Sequence, residues 1–424
     1  MSLYIRFHGS SEESKRDRLK VGIFGHFGGG NFGNESTLQA MLYHVRRLIP
    51  NADVTCICSV AETVAADYNI ATVPISGVVV RPWTIRNPLA KLARKLTIGI
   101  VSELYRWYMG LMMLRGWDVL IVPGTGLLTD AYSLSGWGPY SVFKWSVIAK
   151  MCRCKLFFVS VGVGPLHSVA GRLLTKSALS LADFRSYREE SSLRYLQAIG
   201  FQSDADPVYP DLAFSLPLTL LAQINRSRDR RPTVGLGLME YAGMRSGGLT
   251  SEHYAAYMET LVVFAKWLLS RGYNVRLLFG DLMDIPVIQE FKSLLRVRHV
   301  ILEERVIAEP ITSAKDLFVQ LAATDFVVGT RFHNVLLALL VNKPSIAISF
   351  HHKCSSLMSQ MGLSEYCQDI KYLKSDMLIE QFCQLEKNAS SLRCMIREKV
   401  IDCGKALEEQ YQLMFKKHLR PYEH

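Results

Sequence analysis

Short apolar runs that end in a glycine or charged turn and then give way to a helix-compatible stretch recur along this chain. That alternation points to an α/β fold built on parallel sheets. In the first half the runs are Leu19–Gly25 (LKVGIFG), Val54–Cys58 (VTCIC), Asp118–Val122 (DVLIV), Lys155–Val161 (KLFFVSV) and Asp183–Tyr187 (DFRSY). Four of them run into HFGGGNFGNE, PGTGLLTD, GVGP and the pair Arg188 and Glu189. Glycine at such a turn lets the backbone approach a ligand. In an open parallel sheet the carboxyl ends of the strands are where ligands bind.

A chain of 424 residues is too long for one ordinary core, and the alternation is interrupted once. Ser215–Pro232 ends in a polar run carrying Arg226, Arg228, Arg230 and Arg231, a composition that suits a solvated linker. The expected organisation is a ragged arm over 1–18, a Rossmann-like domain over 19–220, a linker over 221–232 and a second Rossmann-like domain over 233–424. In the second half, strands are expected at Thr233–Leu238, Asn274–Phe279, His299–Leu302, Asp325–Val328 and Pro344–Ser349, with helices between them. From Lys374 to about Leu419 the pattern is helical, with a break expected near Gly404. Two such halves imply a cleft between opposed strand ends.

The stretch Gly329–Phe350, GTRFHNVLLALLVNKPSIAISF, concentrates the chemistry. It sets Arg331 and His333 beside a helix start, where free backbone N–H groups suit an anion. The strand that follows ends in Phe350, His351, His352 and Lys353. Adjacent histidines on a strand would point apart, and with no spaced third ligand they do not make a metal site.

Lys and Arg total 49 against 38 Asp and Glu, a formal charge of +11 that favours an anionic partner without separating nucleic acid, lipid and phosphorylated metabolites. The nine cysteines include two C-x-C pairs, Cys56/Cys58 and Cys152/Cys154. Their thiols are expected on opposite strand faces, buried and reduced, not on a metal. Met1–Lys20 is polar and charged with no apolar core, which argues against a secretory signal and for a cytoplasmic protein. Leu96–Trp117 falls short of a spanning helix because Glu103, Arg106 and Arg115 interrupt it. With Arg81, Arg86, Lys91, Arg94 and Lys95 upstream, 81–117 is a basic amphipathic segment. It either packs on its own domain or lies in a membrane interface through Trp107, Tyr108, Met112 and Trp117.

Taken together, GIFGHFGGGNFGNEST, PGTGLLTD, VSVGVGP, SYREESSLRYLQAIG, YPDLAFSLP and GTRFHNVLLALLVNKPSIAISFHHK occur in an order that resembles the polysaccharide pyruvyl transferase family. The resemblance implies a two-domain α/β fold, GT-B-like, with two Rossmann-like domains facing a cleft. It implies transfer of a pyruvyl group from phosphoenolpyruvate to a sugar as a cyclic ketal. Arg188 in SYREES would match the family's donor-holding arginine, and Arg331 and His333 its R-x-H pair, with Phe332 able to offer its backbone amide. Asn34 stands where the family usually has Asp, Pro123 and Thr125 alter the usual triple glycine, and Tyr187 replaces a small residue. The resemblance calls for no metal, cofactor or nucleic acid. Its acceptor would be a glycan or a lipid- or nucleotide-linked sugar, handled in the cytoplasm or at the inner face of the plasma membrane.

The chemistry suits these side chains. Guanidinium groups bind carboxylate and phosphate in a bidentate way, which gives Arg188 and Arg331 the donor, with Phe332, Ser349 and Lys353 beside them. His333 is the candidate acid for the methylene carbon, expected to govern turnover where Arg331 governs affinity. Asn31, Glu35, Gly124, Gly126 and Asp130 are candidates for the acceptor side, with Glu35 or Asp130 as a base. A GT-B glycosyltransferase using a nucleotide sugar and a non-catalytic basic peripheral-membrane protein are the competing readings.

Overall fold

The computed structural model describes residues 18–75, 88–129, 138–202, 205–217, 231–240, 250–298, 303–417 and 419, the side chains of 88–98 and 303 excepted. The expected N-terminal arm up to residue 17, most of the linker, the strand His299–Leu302 and Asp130 lie outside the described residues.

The first half forms a parallel sheet from β1 (Lys20–Gly25), β2 (Asp53–Cys58), β3 (Ala71–Pro74), β4 (Val119–Pro123), β5 (Lys155–Val161) and β6 (Phe184–Tyr187), in the order β3-β2-β1-β4-β5-β6. Its helices are α1 (Phe32–Leu48), α2 (Ala61–Tyr68), α3 (Pro88–Leu114), α4 (Gly138–Met151), α5 (Val169–Ser180) and α6 (Glu190–Ala198). The second half repeats the plan with β7 (Thr233–Gly237), β8 (Asn274–Leu278), β9 (Val306–Ile307), β10 (Phe326–Gly329), β11 (Ser345–Ser349) and β12 (Cys367–Asp369), in the order β12-β11-β10-β7-β8-β9. Here the helices are α7 (Ser251–Ser270), α8 (Ile285–Val297), α9 (Ala314–Ala322), α10 (Phe332–Leu340), α11 (His352–Gln360), α12 (Ser375–Lys387) and α13 (Ala389–Gln412). Both sheets therefore carry the doubly wound strand order, with a switch point between β1 and β4 and another between β7 and β10.

Burial on both faces explains why the central strands read as unbroken apolar runs: every residue of β4, β7, β10 and β11 is buried. The edge strands β3 and β12 escape the sequence reading because they are short and half exposed. Helix α1 begins at Phe32, not near Glu35, because Asn31 caps it by accepting from Asn34 N (3.1 Å). The glycine turn before it places Gly28 and Gly30 at φ of 81° and 80°, where a side chain would be strained.

Three expectations need correction. Gly404 lies inside α13, and the helical break falls at Asn388 instead. The end of α13 crosses back to the first half: Gln410 Oε1 accepts from Ser186 Oγ (2.8 Å), Tyr411 stacks on His44 at 4.0 Å between centroids, and Glu408 pairs with Arg47. Cys56 and Cys58 share a face of β2, as residues two apart on a strand must, and both join the core on one side of the sheet while Ile57 joins the other. All nine cysteines are free, but Cys383 and Cys394 are exposed, not buried.

Candidate functional site

Turns that follow the strands of both sheets line one cleft of about 610 Å³. The first half contributes the loops after β1, β4 and β6, and the second those after β7, β8, β10 and β11. Backbone bonds stitch the halves at the cleft: Phe32 N donates to Gly280 O (3.0 Å) and Leu282 N to Gly30 O (3.1 Å). Asn31 Nδ2 adds a bond to Asp281 Oδ2 (2.9 Å). At Gly33 a Cβ would stand 1.9 Å from His333 Nδ1, so a glycine is required for α1 to meet the start of α10.

Arg188, just past β6, is 8% exposed and donates from Nη1 to Asp211 Oδ2 (2.9 Å). The same carboxylate oxygen lies 3.9 Å from His333 Nε2. Phe332 lies face-on to Arg188, its ring centre 4.8 Å from the guanidinium carbon, a cation–π contact that the sequence reading had not assigned to it. Neither Arg188 Nε nor His333 Nε2 makes a hydrogen bond, although both atoms are buried; Glu189 Oε2 lies 3.8 Å from Arg188 Nε, beyond hydrogen-bond distance. Burial holds His333 down to about 4, helped by Arg188, Lys353 and Arg331 and opposed by Asp211. With that value the imidazole is neutral at pH 7.

Arg331 lines the cleft differently. Its Nε and Nη2 donate to Asp284 Oδ2 (2.9 Å) and Oδ1 (2.6 Å), and Asp284 is wholly buried. Asp284 Oδ1 also accepts from Glu240 N (2.8 Å).

Lys353 lines the same cleft, its ammonium pulled down to about 8, first by burial and then by Arg188, with Glu189 opposing. His351 and His352 are not on a strand. His351 caps α11 by accepting from Lys353 N (3.4 Å), and the two rings lie 4.1 Å apart. Burial first, and then the neighbouring His352 and Lys353, depress His351 to about 3. Among the described residues no group of three His, Cys, Asp or Glu side chains could hold a metal.

Asn31, Gly124 and Gly126 also line the cleft. Two expected site residues do not. Glu35 turns under the glycine loop, accepting from Gly28 N (2.7 Å) and Tyr68 OH (3.4 Å), so it braces the turn and is not placed as a base. Ser349 Oγ donates to His351 O (2.9 Å) and shapes the β11–α11 turn. Asp211 and Asp284 were missed. Each is an acid in an apolar setting, in YPDLAF and FGDLMDIP, and that mismatch was the available signal.

Comparison with known proteins bears on these residues. The family profile for polysaccharide pyruvyl transferase matches residues 31–352. The chain belongs to this family. A curated relative, the amylovoran biosynthesis protein AmsJ of Erwinia amylovora, is 22% identical over 288 residues, 63% of this chain and 65% of the relative. The chain thus spans just under two thirds of that relative. Among solved structures it resembles a glycosyltransferase from Rickettsia africae (TM-score 0.58, 11% identity, 94% of this chain and 99% of that one). It also resembles the UDP-GlcNAc 2-epimerase of Neisseria meningitidis (TM-score 0.56, 13% identity, 94% and 100%). At such identities the likeness concerns the fold: two α/β halves around a cleft, GT-B-like. Arg188, Asp211, Asp284, Arg331 and His333 all fall within the span matched to the pyruvyl transferase family.

Proposed function

We propose that this family member moves the pyruvyl group of phosphoenolpyruvate onto two hydroxyls of a sugar, carried on a polysaccharide or on a lipid- or nucleotide-linked precursor. The observation that carries the reading is the pair of unsatisfied buried nitrogens, Arg188 Nε and His333 Nε2, gathered with Lys353 at one cleft. Buried polar nitrogens normally have partners, and an anionic ligand supplies them. A carboxylate and a phosphate on one small molecule match the two cations and the imidazole gathered here.

The resting charge of His333 fits a proton taken up together with the donor. The surrounding cations and burial keep the imidazole neutral, and a ligand bearing several negative charges reverses that field. The imidazolium then gives its proton to the methylene carbon of phosphoenolpyruvate, leaving the central carbon electrophilic. One sugar hydroxyl bonds to that carbon and loses its proton, and the C–O bond to phosphate breaks. A second hydroxyl closes the ketal and loses its own proton. The net exchange is one phosphoenolpyruvate and one diol for one ketal and inorganic phosphate. Phosphoenolpyruvate is a co-substrate in this scheme, which calls on side chains alone.

Thermal melts with phosphoenolpyruvate and with nucleotide sugars test the donor. Stabilisation is expected from the first, and stabilisation by the sugar nucleotide alone would sink the pyruvyl reading in favour of glycosyl transfer. His333→Ala should lower phosphate release with a glycan acceptor by roughly 10²–10⁴-fold while donor binding changes only a few-fold. Undiminished release from the variant would remove His333 as the acid.

A further inference from the structure

We propose that the outer face of α3 rests on an anionic lipid surface. Between residues 99 and 112 every exposed position is glycine, aliphatic, aromatic or methionine: Gly99, Ile100, Val101, Leu104, Tyr105, Tyr108 and Met112. Leu104 and Val101 are 65% and 66% exposed. At 100° per residue the six large side chains fall within an arc of about 140° over about 18 Å of helix. A helix of a soluble domain ordinarily shows water its polar face, and here the arrangement is reversed.

The polar residues are used inward. Glu103 Oε1 accepts from Lys144 Nζ (3.0 Å) and Tyr140 OH (2.8 Å), and Arg106 Nη1 donates to Glu103 Oε2 (3.0 Å). Trp107 donates to Tyr140 OH (3.1 Å), and Trp117 packs against the core. The membrane-facing set is therefore not the one the sequence suggested: Trp107 and Trp117 face the domain, and the aliphatic stripe takes their place beside Tyr108 and Met112.

Charge selects the occupant. Residues 81–117 hold seven Arg and Lys against one acid, Glu103. With that acid already paired inside the domain, the stretch carries a net positive charge that a second copy, bearing the same charge, cannot neutralise. A bilayer bearing anionic headgroups satisfies both the apolar stripe and the cations. The helix packs on α4, whose first residue, Gly138, lines the cleft. Docking would thus hold the cleft close to a lipid-borne acceptor, and to that extent the inference deepens the proposed function.

Co-sedimentation of the full chain with vesicles tests it, with no donor or acceptor present, so that its failure and that of the transferase reading stay separable. Binding is expected to vesicles containing phosphatidylglycerol, weaker binding to pure phosphatidylcholine, and release at high salt. Leu104→Glu with Tyr108→Glu should cut the bound fraction at least about tenfold with an unchanged melting temperature. A milder pair, Val101→Ser with Leu104→Ser, should fall between. No vesicle binding, or equal binding by parent and glutamate variant, overturns the proposal. So does a dimer in light scattering that the glutamate variant splits while vesicles bind neither form, since a second copy then covers the stripe.

Discussion

The two halves of the cleft each place an arginine just past a strand and pair it with an acid, yet the pairs are built differently. Arg331 gives two nitrogens to both oxygens of Asp284, which is wholly buried and takes a backbone N–H as well. Arg188 gives one nitrogen to Asp211, keeps Nε without a hydrogen bond although Glu189 Oε2 stands 3.8 Å from it, and has to share the Asp211 carboxylate with His333 from the opposite half. A closed bidentate pair fixes a position. An open one leaves hydrogen-bonding capacity for a ligand. On the proposed function, the difference suits Asp284 to holding Arg331 in place and Arg188, with His333, to meeting the donor. Arg188 and His333 also stand on opposite halves, so that neither sheet carries both.

The largest expected effect tests the open pair. Arg188→Lys keeps the charge but loses the planar fork and the stacking on Phe332, and should lower kcat/KM by roughly 10²–10³-fold with little change in unfolding free energy. Near-parental turnover would break the comparison on the Arg188 side. For the closed pair, Asp284→Ala leaves a partly buried guanidinium uncompensated and should cost about 3–5 kcal/mol in urea unfolding. Asp211→Asn should cost less stability and more activity. If the two acids exchange these signatures, the roles assigned to the two halves are reversed.

How far the sequence reached follows the same physics. The strand cores and the R-x-H turn were legible because doubly buried strands are apolar throughout and because Arg331 and His333 stand beside a helix start. What stayed hidden depends on contacts far apart in the chain. Glu35 looked like a cleft residue until Gly28, seven positions earlier, claimed its carboxylate, and Asp211 lies 122 positions before His333. The return of α13 to the first sheet, through Gln410 and Tyr411, likewise leaves no local periodicity to read.

Glu35 supplies the smallest and most specific test, through pH. Burial pushes its carboxyl up to about 7, against the opposing pull of the Gly28 N–H and Tyr68 hydroxyl. The folded state then holds a proton that the unfolded chain has already lost in the window between the usual carboxylate range and 7. That contribution to stability is present below this window and disappears as pH rises through it. Glu35→Gln keeps an oxygen for Gly28 N and cannot ionise, so it should match the parent near pH 4 and exceed it by about 1–3 kcal/mol above pH 7. His333 slopes the other way: with its pKa lowered to about 4 in the folded state, it costs stability as pH falls from the ordinary imidazole range toward 4. Urea unfolding of the parent, Glu35→Gln and His333→Ala across this range separates the slopes. A gap between parent and Glu35→Gln that does not widen with pH would show that the carboxyl under the glycine turn is already ionised, and the brace would then be a charged one.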